Sequence, residues 1–193
     1  MRGNVLNGMH SKWKLPKNFK GLFVSSVVLS VALNACAHAY DRTVAHVDRD
    51  RFMGSWYVMA GRFTFLEKDV FNSVEKYTWN EAEQRIDIDF SYRKGSLTGE
   101  LKKYPQKGFI QNHETNATWK VSPFWPLKFT YLIIALDPDY EWTAIGVPNQ
   151  HYLWIMAKSP MISKTKIREA IETVRSLNYS VEDIVYVEHE AIK

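Results

Sequence analysis

Apolar and polar residues alternate along residues 85–93, whose sequence is RIDIDFSYR. A period of two indicates a β-strand with its two faces in different environments. Further segments rich in aromatic and β-branched residues are bounded by turn residues, and together they predict eight strands: Ser55–Arg62, Ser73–Trp79, Arg85–Arg93, Gly99–Ile110, Ala117–Phe124, Thr130–Leu136, Trp142–Val147 and Tyr152–Ala157. No helical pattern interrupts them, so the pattern predicts an all-β fold.

A helical pattern begins only after the eighth strand. The apolar residues that recur there with a period near 3.6 are Ile167, Ala170, Ile171, Val174 and Leu177. They predict a helix over about 163–178, with Ser163 as its N-cap and Asn178 near its end. Ile184–Glu188 is a candidate for a short ninth strand.

Eight antiparallel strands, short turns and one late helix are typical of an up-and-down β-barrel, although a β-sandwich could use the same strands. The 193 residues, 46% of them apolar, are enough for one domain with a sizeable core. An eight-stranded barrel has room inside for side chains or for one small ligand.

The first 35 residues differ from the remainder in charge. They contain five Lys and Arg and no acidic residue, so residues 36–193 carry 20 basic against 21 acidic side chains. A basic stretch before the apolar run Gly21–Leu33 is the layout of a signal peptide, and 13 residues are short for a permanent transmembrane helix. A short permanent anchor stays open as an alternative, and either Met1 or Met9 could be the start.

The single cysteine of the chain, Cys36, follows the apolar run directly. Leu33-Asn34-Ala35-Cys36 resembles the lipobox of bacterial lipoproteins, which favours acylation of Cys36 and, since Ala37 follows, the outer membrane. Ala37-His38-Ala39 offers ordinary cleavage and a soluble protein as the alternative. We therefore expect a signal peptide at 1–35, a tether at 36–47 and the folded domain at 48–193.

Three short motifs break the tie between barrel and sandwich. Gly54-x-Trp56 opens the first strand, Asp139-Tyr140 follows the sixth, and Lys158 follows the eighth. In this order and spacing the sequence resembles the lipocalins, within them the bacterial lipoprotein lipocalins, from about Val47 to Glu188. The resemblance implies a barrel floor closed by Trp56, on which an arginine usually packs. Lys158 stands in that place and can still make a cation–π contact.

The candidate ligand site comes partly from periodicity and partly from that resemblance. Period two puts Val58 and Ala60 on the same face as Trp56, with Ala60 leaving room inside. By resemblance, Trp154 and Tyr131 are cavity residues, and Lys128 near the mouth could meet an anionic head group. The motif residues Gly54, Trp56, Asp139, Tyr140 and Lys158 are expected to hold the fold and not to touch ligand.

These expectations predict a lipid carrier, anchored in the outer membrane through Cys36 and facing the periplasm, which binds a fatty acid or lysophospholipid. A filled barrel with a structural or interaction role is the alternative, and a lipocalin-type enzyme is a third reading. The chain carries no Gly-x-Ser-x-Gly, HExxH or phosphate-binding loop, so we expect no enzyme, cofactor or metal. No basic patch interleaved with aromatics remains after residue 35, which argues against nucleic acid. The sequence leaves a homodimer open.

Overall fold

The computed structural model describes residues 39–64, 67, 69–124 and 126–190. Their strands are β1 (Gly54–Arg62), β2 (Val70–Asn80), β3 (Arg85–Lys94), β4 (Leu101–Ile110), β5 (Thr118–Ser122), β6 (Phe129–Leu136), β7 (Trp142–Gly146), β8 (Leu153–Ala157) and β9 (Val185–Tyr186). The sheet order is β2-β3-β4-β5-β6-β7-β8-β1-β9, and β2 also pairs with β1. Strands β1 to β8 therefore close into an antiparallel barrel, which confirms the predicted fold.

Two helices flank the barrel within the described residues. The short α1 (Arg49–Phe52) precedes β1, and α2 (Lys164–Ser176) follows β8. Ser163 is the N-cap of α2, and its hydroxyl accepts a hydrogen bond from the amide of Lys166. The predicted late helix and its cap are therefore confirmed, and the short ninth strand pairs with β1.

The connections between strands lie at the two ends of the barrel. We call the end that carries α1 the closed end and the other the open end. The closed end carries α1 and the turns at 81–84, 111–117 and 137–141. The open end carries the connections at 63–69, 95–100, 123–128 and 147–152. Each strand runs from one end to the other, so its sequence position fixes which end a side chain lies near.

The apolar residues form two separate cores. One fills the barrel and includes Trp56, Trp119 and Trp154. The other lies outside, where buried residues of α2 such as Ile167 and Ala170 pack with outward-facing residues of β6, β7 and β8. Alternating residues of these strands thus face two apolar environments, which explains why β7 and β8 read as continuous apolar runs rather than strict alternation.

The segment before α1 lies along the barrel. The amide of Tyr40 donates to the carbonyl of Pro148 at the open end, at 2.8 Å, and the amide of Val47 donates to the carbonyl of Thr115 at the closed end, at 2.7 Å. Residues 40–47 therefore run from the open to the closed end.

The predicted signal segment 1–35 and the predicted acylation site Cys36 lie outside the described residues. Within the part of the chain that the structure describes, no helix is long and apolar enough to cross a bilayer, and no three metal-ligating side chains cluster.

Candidate ligand-binding site

The closed end is sealed by aromatic rings. Phe52 lies 4.9 Å from Trp56 and 5.4 Å from Trp119, and Tyr77 lies 5.5 Å from Trp119, measured between ring centroids. The indole Nε1 of Trp56 donates to the carbonyl of Phe52 at 2.7 Å, so its one polar atom is satisfied in an apolar setting. All four side chains are almost fully buried, and together they form the floor of the barrel.

Lys158 lies over this floor. Its Nζ is 4.3 Å from the ring centroid of Trp56 and donates to the carbonyls of Phe52, at 3.2 Å, and Met53, at 2.5 Å. Burial lowers the pKa of Lys158 to about 8, which leaves the ammonium charged at neutral pH. Gly54 has a φ of +96°, and a Cβ there would lie 3.6 Å from this ammonium. A glycine is thus required where the chain turns from α1 into β1.

This arrangement gives a first prediction. Lys158→Met should lower the free energy of unfolding by about 2 kcal/mol, because two carbonyls at the end of α1 lose a charged donor. Lys158→Arg should stay within about 1 kcal/mol of the parent, since a guanidinium can reach both carbonyls and stack on the indole. Urea denaturation at pH 7 measures both, with the exposed Lys164→Met as the control. Equal effects of the methionine variants at 158 and 164 would contradict the structural role.

The Asp139-Tyr140 motif lies in the turn after β6. Tyr140 has a φ of +62°, its hydroxyl accepts from the amide of Asp48 at 2.8 Å, and the guanidinium of Arg51 lies 4.0 Å from its ring centroid. Asp139 is exposed, and the carboxylate that organises the turn belongs to Asp137, which accepts from the amides of Asp139 and Glu141. Tyr140 therefore connects this turn to α1. Asp137 stabilises the turn itself, although it is not part of the Asp139-Tyr140 motif.

Trp154 and Tyr131 form a stacked pair inside the barrel towards the open end. Their ring centroids are 5.1 Å apart with planes 28° from parallel. The indole Nε1 of Trp154 donates to a carboxylate oxygen of Glu67 at 2.9 Å, and Tyr152 packs 6.0 Å from the same indole. The two residues that the resemblance suggested thus lie together on the inner wall.

Val58 also faces the interior, but the prediction that Ala60 shares its face is wrong. A β-bulge interrupts the pairing of β1 with β8 between these two residues, so Val58 pairs with Met156 whereas Ala60 pairs with Ile155. Val58 belongs to the barrel core and Ala60 to the outer core under α2. The extra residue of the bulge reverses the alternation, which a strict period of two cannot anticipate.

Two buried carboxylates face the same interior. Glu75 pairs in register with Trp56 and Phe90, and both it and Glu67 are less than one tenth exposed. Tyr77 donates its hydroxyl proton to Glu75, and Thr64 donates to Glu67 through its amide and its hydroxyl. The interior of the barrel is therefore not purely apolar, because it contains two carboxyl groups as well as aromatic rings.

Burial sets the protonation of these acids. Loss of solvation raises the pKa of Glu75 to about 7, the Tyr77 hydrogen bond lowers it, and the charge of Glu67 raises it further. Burial likewise raises the pKa of Glu67, against the hydrogen bonds from Trp154 and Thr64. Burial also raises the pKa of Tyr131, and the charges of Glu75 and Glu67 raise it further. A period-two reading of β2 would have placed Ser73, Glu75 and Tyr77 on one face, and this is the signal that could have found Glu75.

A second aromatic group continues the wall at the open end. Tyr92 and Tyr104 stack with centroids 5.8 Å apart, and Phe90 lies 5.5 Å from Tyr92 and 6.4 Å from Tyr104. Sequence reasoning did not select these residues, although β3 alternates regularly and pairs in register with β4. The interior therefore offers aromatic surface both on β3 and β4 and on β6 and β8.

Lys128 is exposed at the open end and does not point into the interior. Its Nζ lies 5.0 Å from the ring centroid of Phe109, which is paired in register with Lys120 on the outer face of the barrel. The ammonium of Lys128 thus lies over the outer face of the barrel, and its contact with a ligand head group at the mouth stays a prediction.

The fold and the sealed floor define an antiparallel β-barrel that is closed at one end by aromatic rings. A family model described as a lipocalin-like domain matches residues 47–189, and the chain belongs to this family. It is similar to the outer membrane lipoprotein Blc of Vibrio cholerae, with 23% identity over 85% of this chain and 96% of that protein. Blc of Escherichia coli K12 is 26% identical over 75% and 81% of the two chains. The resemblance to bacterial lipoprotein lipocalins is thereby confirmed.

Solved structures agree on the fold. Insecticyanin of the tobacco hornworm Manduca sexta superposes with a TM-score of 0.60 at 11% identity, over 79% of this chain and 87% of that one. Lobster apocrustacyanin A1 gives 0.58 at 14% identity, over 75% and 81%. At such identities the likeness concerns the barrel and leaves the ligand to be argued from the interior.

Proposed function

We propose that this lipocalin binds one single-tailed lipid, a fatty acid or lysophospholipid, with its tail inside the barrel, and that it stores or moves this lipid in the cell envelope. The observation that carries the proposal is the aromatic inner wall at the open end, where Trp154 stacks on Tyr131. A lipid tail gains about 25 cal/mol for each Å² of apolar surface removed from water. Binding proteins of this kind need no catalytic group, and we propose no enzymatic activity.

The charges of the site orient such a ligand. The acids Glu67 and Glu75 face the interior, whereas Lys128 and Lys102 lie at the open end. An anionic head group inside would lose its hydration, and Glu67 and Glu75 would not compensate it, because a carboxyl group is neutral when protonated and repels an anion when ionised. We therefore propose that the tail enters first and that the carboxylate or phosphate stays at the rim.

Anchoring completes the proposal. Acylation of Cys36 would hold the protein on the outer membrane, and we propose that it faces the periplasm. The Blc relatives are named outer membrane lipoproteins, which supports the anchoring. Cys36→Ala should abolish incorporation of labelled fatty acid and release the processed protein into the soluble fraction. Unchanged membrane association of the processed variant would support a permanent anchor by the apolar segment instead.

Ligand titration tests the binding function. Palmitate or a lysophospholipid should quench the tryptophan emission of the delipidated protein and saturate at one molecule per chain. Lys128→Glu should weaken palmitate binding by on the order of tenfold and spare a neutral monoacylglycerol of equal tail length, because a rim charge selects the head group.

Lys164→Glu, the same charge change on the exposed side of α2, is the matched control and should leave both ligands unaffected. If no single-tailed lipid binds saturably up to its solubility limit, the barrel is filled by its own side chains, and a structural or interaction role replaces the carrier role.

A further inference from the structure

Large apolar side chains are exposed together at the open end. Five of them are between 43% and 58% exposed: Leu101, Tyr104, Phe124, Leu127 and Phe129. Leu101 and Tyr104 begin β4, and the other three lie in or beside the connection from β5 to β6. We call these five residues the apolar rim. Five large apolar side chains exposed at one end of a barrel mark an interaction surface rather than ordinary scatter.

Basic residues accompany the apolar rim. At the open end, residues 93–103, 123, 124 and 126–128 contain five basic side chains and one acid, Glu100. Lys103 and Lys128 are exposed beside rim residues, and Lys102 forms an ion pair with Glu100 at 2.7 Å. The open end therefore combines apolar side chains with net positive charge, which is the complement of an anionic lipid surface.

The N-terminal segment reaches the barrel at this same end. Tyr40 donates its amide proton to Pro148, in the connection between β7 and β8, and its ring packs edge-on against Tyr179, with centroids 4.8 Å apart. Cys36 precedes Tyr40 by four residues, a chain length of at most about 14 Å. An anchor at Cys36 would hold the membrane near the open end and not near the floor.

From these three observations we propose that the open end of the barrel docks on a membrane of anionic phospholipid, with the apolar rim in the interfacial layer and Lys102 and Lys103 against the head groups. A lipid tail could then pass between bilayer and barrel without crossing water. The contribution of the anchor rests on the proposed acylation of Cys36, whereas the docking surface consists of described residues alone.

Fluorescent labels at the two ends of the full-length protein test this orientation. Leu127→Cys and Met161→Cys each place a thiol at an exposed apolar position, the first on the rim and the second in the connection after Lys158 at the closed end. Each variant is labelled with an environment-sensitive fluorophore and bound to phosphatidylcholine vesicles with or without phosphatidylglycerol. The parent chain, whose one thiol is that of Cys36, is treated with the same fluorophore. If the parent takes up the label, Cys36 is not acylated, so a loss of membrane binding can be assigned to the missing anchor and not to the docking surface.

We expect quenching by spin-labelled lipid at position 127 and not at 161, and stronger quenching when phosphatidylglycerol is present. Lys102→Glu with Lys103→Glu should reduce the association of the rim by on the order of tenfold or more, since each lysine near an anionic surface contributes about 1 kcal/mol. Lys164→Glu with Arg168→Glu, an equal charge change on α2, should have less effect. Quenching at 161, equal quenching at both positions, or no quenching at either would overturn the proposal. Palmitate binding, measured on the same variants, would show separately whether the carrier function survives.

Discussion

Trp56→Ala should lower the free energy of unfolding by about 3–5 kcal/mol, which is the range for large aromatic side chains removed from a core. Trp56 is fully buried, contacts Phe52, and carries the ammonium of Lys158 on its ring. The truncation would leave a cavity beneath α1 and remove the aromatic partner of a half-buried charge. Chemical denaturation followed by circular dichroism measures the change.

Trp79→Ala is the matched control for this prediction. Trp79 lies at the same end of the barrel but is only partly buried, with Arg49 4.4 Å from its ring centroid and Glu81 accepting from its indole nitrogen. Its truncation removes less buried area, so we expect a loss of about 1–2 kcal/mol. A loss at Trp56 no larger than that at Trp79 would show that the floor does not depend on this ring.

The sequence is most informative where a regular strand separates two environments. Strand β3 alternates in sequence and in burial, and its predicted bounds differ from the observed ones by one residue. Ala60 shows where this reasoning fails, since one extra residue in β1 turns it from the inner to the outer face. A bulge depends on the pairing partner, so it leaves no mark on the alternation of one strand.

Motifs predict the floor better than the ligand site. Trp56 and Lys158 are recognisable because a single arrangement of α1, β1 and β8 brings them together. Several strands contribute to the inner wall. Aromatic residues occur on both faces of these strands, so residue type alone does not show which of them face inwards. The burial of Glu67 could not be predicted from the sequence for a different reason. Its hydrogen-bond partner Trp154 is 87 residues away, and the residues next to Glu67 give no sign of burial.

Replacing Glu75 by glutamine should stabilise the protein by about 3 kcal/mol at pH 8 and change it little at pH 4. The carboxyl has an ordinary pKa of 4.5, and burial raises it to about 7 in the folded protein. Below pH 4.5 the carboxyl is protonated in both the folded and the unfolded protein, so its burial does not take a charge out of water. Between pH 4.5 and 7 the unfolded chain loses this proton while the folded chain keeps it, so the free energy of unfolding falls as pH rises. A raised pKa of this size lowers the free energy of unfolding by about 3 kcal/mol between low and high pH, and this loss is complete above pH 7.

Glutamine keeps an oxygen that can accept the hydroxyl proton of Tyr77, so the variant removes the charge and retains the hydrogen bond. Urea denaturation of both proteins from pH 4 to pH 8 should give curves that diverge across this interval, and the exposed Glu114→Gln should run parallel to the parent. Glu67 is present in both proteins, and because its charge raises the pKa of Glu75, the difference between the curves reports Glu75 together with its coupling to Glu67. Parallel curves for Glu75→Gln and the parent would mean that Glu75 is solvated when folded, and the argument that interior acids keep an anionic head group at the rim would then rest on Glu67 alone.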